Sequence, residues 1–101
     1  MINLDNTKYS IAYTSKFKKQ FKKVLKQGKD ENKFIEVLAV LADGGSLEVK
    51  YRDHSLIDNK YFKNCRECHI EPDWLLVYKY SDNELILFLI ETGSNSEILE
   101  K

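Results

Sequence analysis

The chain has two histidines, His54 and His69, both in its C-terminal half, and the other groups that could move protons near neutral pH gather around them. The run Cys65-Arg66-Glu67-Cys68-His69-Ile70-Glu71-Pro72-Asp73-Trp74 places a carboxylate, Asp73, four residues after His69, and Thr92-Gly93-Ser94-Asn95 follows downstream. Histidine has an unperturbed pKa of about 6.5, so it can give or take a proton near pH 7. Imidazoles and a carboxylate brought together suit acid–base chemistry, in which one group removes a proton from a nucleophile and another protonates a leaving group.

Cys65-Arg66-Glu67-Cys68-His69 also matches the C-x-x-C-H pattern of covalent haem attachment. That chemistry takes place outside the cytosol, and Met1-Ile2-Asn3-Leu4-Asp5-Asn6 has neither the basic region nor the apolar run of an export signal. Met1, the only methionine, is poorly placed as an axial ligand. On a strand, residues three apart face opposite sides. Two Cys and one His supply at most three clustered ligands, short of a closed zinc site. The expectation is no haem, no metal and no organic cofactor, with Cys65 and Cys68 as packing thiols in a reducing cytosol.

Chemistry of this kind needs a frame to hold it. A chain of 101 residues, 43% of them hydrophobic, can bury one modest core, so residues 1–101 are read as a single domain. The longest apolar run, Leu85 to Ile90, is far too short to span a bilayer. A cytoplasmic location and no membrane partner are expected. The net charge is zero, yet residues 1–33 hold nine lysines against Asp5, Asp30 and Glu31, which leaves +6 there and −6 in the remainder. A basic N-terminal third suits contact with a polyanion, and also suits a solvated lysine face.

Residues 8–14 alternate, with Tyr9, Ile11 and Tyr13 on one side, which predicts a half-buried strand. Ser15 offers an N-cap to a first helix whose apolar stripe is Phe17, Phe21, Val24 and Leu25, with Lys18, Lys19, Lys22, Lys23 and Lys26 mainly off it and Gly28 as the stop. A second helix is expected from Asp30 to Ala42, broken by Asp43-Gly44-Gly45, so that the two form a hairpin. Residues 46–59, which contain His54, read as an irregular surface segment. Strands follow at Tyr61–Ile70, Trp74–Tyr80 and Leu85–Glu91, joined by turns at Pro72-Asp73 and at Ser81–Glu84. The fold class is therefore α+β: an N-terminal strand, a two-helix hairpin, a three-stranded antiparallel meander and a short C-terminal tail. In a meander the last strand returns to the end that carries Pro72, so His69, Asp73 and the tail at Thr92–Ser96 should converge there, with His54 reaching the same edge.

In this order of elements, with "RDHSL", "CRECHIEPDWLLVYKY" and a terminal "TGSNSEIL", the chain resembles the YafQ branch of the RelE/ParE superfamily of bacterial toxins over about residues 8 to 99. The resemblance implies a RelE-like fold and a ribosome-dependent endoribonuclease that cuts mRNA, held inactive by a cognate antitoxin. It matches His54, His69 and Asp73 to acid–base positions and Trp74 to a neighbouring aromatic. Arg66 and Lys79 are then local cations for the phosphoryl oxygens, and the lysines of helix one hold RNA. The family pattern has Arg, His and an aromatic where this chain has Glu91, Asn95 and Leu99. Asn95 is placed in the site, but an amide cannot shuttle a proton at pH 7, so attenuated cleavage is expected. The alternative is a superfamily member that has lost cleavage and acts by blocking its target, such as a gyrase inhibitor.

Overall fold

Strand β1 (Ser10–Tyr13) hands over to helix α1 (Ser15–Lys26) at Thr14, whose N–H donates to the Leu89 carbonyl and whose Oγ1 accepts from the Phe17 N–H at 2.9 Å. The cap is therefore Thr14 rather than Ser15, because the strand's last hydrogen bond holds Thr14 extended, the conformation an N-cap requires. The computed structural model describes residues 6–57 and 59–99; residues 1–5, read above for an export signal, lie outside them. Helix α1 ends where Gly28 takes a φ of +92°, a conformation open to glycine without strain. Helix α2 (Glu31–Ala42) is capped by Asp30, which accepts from the Asn32 N–H at 2.9 Å. Phe21 and Phe34, with ring centroids 4.6 Å apart, close the hairpin.

The expected meander is present as β3 (Arg66–Glu71), β4 (Trp74–Ser81) and β5 (Ile86–Gly93). Two further strands extend it into one sheet of order β1-β5-β4-β3-β2, with β1 parallel to β5. Strand β2 (His54–Ser55) comes from the segment read as irregular, and it pairs antiparallel with β3, His54 opposite Glu67 and Ser55 opposite Arg66. A 3-10 turn (Val49–Tyr51) precedes it. The strand expected from Tyr61 begins only at Arg66, because the Asn59 side chain accepts from the N–H groups of Tyr61 and Phe62 and holds a turn there. Tyr13, expected on a half-buried face, is 56% exposed at the end of edge strand β1.

Strand alternation gives the sheet two different faces. Cys68, Ile70, Trp74, Leu76, Tyr78, Leu87 and Leu89 join Phe17, Val24, Phe34 and Leu41 from the helices in the main core. The opposite face carries a smaller cluster of Phe62, Cys65, Leu75, Val77 and Ile98, the last from the short helix α3 (Asn95–Leu99). Cys65 and Cys68 are both buried free thiols, one in each cluster, as packing residues on alternate faces would be. Burial pushes both thiols above their ordinary value, which suits inert packing groups rather than thiolate ligands. Among the described residues, no helix is long and apolar enough to cross a membrane.

Candidate active site

Glu67 and His69 are two apart on β3 and share the face turned away from the helices, and the β2 register sets His54 beside Glu67 on the neighbouring strand. A single atom joins them. His69 Nε2 lies 3.3 Å from Glu67 Oε1, and His54 Nε2 lies 3.7 Å from the same oxygen. Glu67 is 1% exposed, and neither of its oxygens receives a hydrogen bond of ordinary geometry. Burial raises its carboxyl above the usual range, while His54 and His69 pull in the other direction.

The other ring nitrogens set the proton inventory. His54 Nδ1 faces the Arg52 carbonyl at 2.6 Å and His69 Nδ1 faces the Pro72 carbonyl at 3.1 Å. A carbonyl only accepts, so each Nδ1 carries a proton and each Nε2 is turned toward the carboxylate. Two lone-pair atoms facing one carboxylate oxygen repel unless a proton lies between. Glu67 was missed in the sequence because a Glu between Arg66 and Cys68 resembles any strand residue; its spacing of two from His69 was the available signal.

Asp73 and Asn95 form a second contact at the same end of the sheet. The Pro72-Asp73 turn closes on the pair Glu71 and Trp74, and Asp73 Oδ1 accepts from the Asn95 N–H at 2.9 Å. The carboxylate thus caps α3 rather than hydrogen-bonding an imidazole among the described residues. The turn links both halves, since His69 bonds Pro72 and the next residue bonds the tail. The strand register shifts between His69 and Glu71, and Glu71 bonds Lys29 at 3.1 Å and Lys33 at 2.7 Å, contacts that hold its carboxyl below the usual range. A cleft of about 370 Å³ beside His69 is lined by Lys33, Lys50, Tyr51, Glu71 and Pro72.

Three sequence expectations change here. Trp74, matched to a substrate-facing aromatic, is fully buried, and its Nε1–H donates to Thr92 Oγ1 at 2.9 Å, so it offers no ring face to a base. Arg66, expected beside the phosphoryl oxygens, lies by alternation on the opposite face from His69 and is engaged with Asp53 at 3.3 Å and Ser55 at 2.8 Å. Lys18, Lys19, Lys22 and Lys26 are exposed and in no ion pair among the described residues, but α1 also packs on the face remote from the histidines, and Lys23 is held by Glu97 at 2.8 Å. Lys79 is exposed on the histidine face of β4. Glu91 is 6% exposed, with Lys16 at 3.3 Å and Gln20 at 3.0 Å beside its carboxylate.

Residues 9–100 match the family model described as "Bacterial toxin of type II toxin-antitoxin system, YafQ". The chain is 34% identical over 89 residues to the mRNA interferase toxin YafQ of Escherichia coli strain B, an alignment covering 87% of this chain and 92% of that protein. Its fold is similar to that of a chain in the crystal structure of the E. coli DinJ-YafQ toxin-antitoxin complex, with a TM-score of 0.79, 32% identity and coverage of 90% of this chain and 97% of that one. A metal-bound toxin from Helicobacter pylori superposes with a TM-score of 0.82 at 40% identity, covering 89% of this chain and 98% of that one. With the sequence match spanning nearly its whole length, the chain belongs to the YafQ family of bacterial toxins of type II toxin–antitoxin systems.

Proposed function

We propose that this protein is the toxin of a bacterial type II toxin–antitoxin pair and acts as an mRNA endoribonuclease, with His54, Glu67 and His69 as its acid–base machinery. The observation that carries this reading is the buried Glu67 Oε1 within 3.7 Å of the Nε2 atoms of both histidines. In the reaction the ribose 2′-oxygen bonds to the adjacent phosphorus and the bond from phosphorus to the 5′-oxygen breaks. One imidazole takes the 2′-hydroxyl proton and the other, as imidazolium, gives its proton to the departing 5′-oxygen, leaving a 2′,3′-cyclic phosphate and a 5′-hydroxyl. Glu67 favours the imidazolium form, and the cleft beside His69 is where RNA would lie. This chemistry needs no cofactor.

Asp73 holds the tail through the Asn95 N–H, and the Asn95 amide cannot carry a proton at neutral pH, so cleavage is attenuated. The α1 lysines, remote from the histidines, hold RNA or ribosome by charge. The message is cut on the ribosome, in the cytoplasm, and a cognate antitoxin silences the toxin, as suits a chain similar to the toxin in the DinJ-YafQ complex. Primer extension on a translated message tests the reading: discrete cuts that disappear in His69→Ala support it. Intact message together with inhibited DNA supercoiling would instead establish a non-cleaving gyrase inhibitor.

A further inference from the structure

The strand that delivers His54 is only two residues long and lies at the sheet edge, with His54 half exposed. So short a ladder frays readily. The chain approaching it is also tightly turned, with Arg52 in the left-handed region at a φ of +50°. Something beyond the ladder must keep the imidazole near Glu67.

The residues on either side of His54 supply it. Arg66, on β3, sits opposite Ser55 of β2 and opposite Tyr78 of β4. Its guanidinium donates from Nη1 to Ser55 Oγ at 2.8 Å and places Nη2 3.3 Å from Asp53 Oδ2. One planar group therefore grips both neighbours of His54, a geometry that a lysine ammonium could not reproduce. The Tyr78 hydroxyl, in a side chain 1% exposed, donates to the other Asp53 oxygen. All of these contacts lie on the helix-side face, while His54 points to the other.

We propose that Asp53, Arg66 and Tyr78 form a clamp through the sheet that positions His54 against Glu67, so that they serve RNA cleavage as positioning residues without touching RNA. Burial first, and then the hydrogen bond to Asp53, push the Tyr78 phenol upward, so it remains a protonated donor throughout the working pH range. The inference rests on the reading of His54 as a proton-transfer group. It removes Arg66 from the set of phosphate-binding cations.

The test uses Tyr78→Phe, which keeps the buried ring and removes only the donor, with Arg66→Lys as a second variant that keeps the charge and loses the fork. NMR titration of the histidine rings in the free protein reads placement without RNA. Tyr78→Phe is expected to change the His54 titration, leave that of His69 in place and abolish the response of His54 to Glu67→Gln. In cleavage assays each variant is expected to lower kcat about tenfold, in line with the cost of misplacing a catalytic group, with KM nearly unchanged. Adding Tyr78→Phe to His54→Ala should produce no further loss. An unaltered His54 titration in a folded Tyr78→Phe protein would overturn the clamp, as would an equal loss in the His54→Ala background. A rise in KM with unchanged kcat in Arg66→Lys would make Arg66 an RNA contact instead. Full cleavage by His54→Ala would refute the role of His54 itself while leaving the NMR test of placement standing.

Discussion

His69 Nε2 sits 3.3 Å from the Oε1 of Glu67, a carboxylate that is 1% exposed. Burial of an acid this close to an imidazole couples function to instability, because the ionised form that favours imidazolium is the form that burial penalises.

Glu67→Gln is therefore expected to lower cleavage by roughly 10²-fold while raising stability at neutral pH. The Glu67 carboxyl is raised above its ordinary value near 4.5, so folding is favoured with the proton on. Its favourable contribution is complete below that ordinary value and is lost as pH rises through the higher folded value. The stability gain of the Gln variant should accordingly be present at pH 7 and vanish near pH 4. Thermal denaturation at the two pH values measures it.

Asp73→Ala removes the acceptor for the Asn95 N–H and should cost about 1 kcal/mol through the lost cap. Cleavage should fall less than in His69→Ala, since Asp73 acts on the tail. Asn95→Ala should likewise have a smaller effect than His69→Ala, and Asn95→His should increase cleavage by adding a group able to carry a proton. A reversed order of losses in an RNA cleavage assay would take Asn95 out of its secondary role.

Lys23 and Glu97 tie α1 to α3 at 2.8 Å. The Lys23 contact first, and hydrogen bonds from Ser94 after it, lower the Glu97 carboxyl to about 2. The stability this supplies is complete above the ordinary carboxylate range and is lost as pH falls through about 2. Both side chains are well exposed, so Lys23→Ala should cost only about 0.5 kcal/mol at pH 7 and less in high salt. Paired denaturation curves at pH 7 and in strong acid check the sign.

Replacing Lys18, Lys19, Lys22 and Lys26 with Ala should weaken RNA or ribosome binding and flatten its salt dependence by roughly one unit of slope for each phosphate contact removed. Because α1 packs on the face remote from the histidines, kcat at saturating substrate should be unchanged. Binding isotherms over a salt series, run beside saturating cleavage assays, separate the two effects.

Trp74→Phe should destabilise by about 1–3 kcal/mol, because it leaves Thr92 without the indole donor in a buried site. RNA affinity per folded molecule should be unaltered. Selective loss of affinity without loss of stability would show that Trp74 meets RNA after all.

Residue order alone determined the parts of this protein that rest on local rules. The apolar stripe and glycine stop of α1, the break of α2 at Asp43-Gly44-Gly45 and the two-residue turn at Pro72 follow from helical period, the freedom of glycine and the fixed φ of proline. The return of β5 to the Pro72 end followed from the same turns, and it brought Asp73 to Asn95. Tertiary structure alone decided which face each side chain serves. Glu67 becomes a buried carboxylate between imidazoles only because β2 adds to the edge of β3, and β2 exists through contacts of Arg66 with residues 11 or more positions away. Arg66 and Trp74 looked like substrate contacts until alternation turned both toward the helices. A strand's pleat reverses direction at every residue, so the register with its neighbours determines whether a charged or aromatic group meets water, core or substrate.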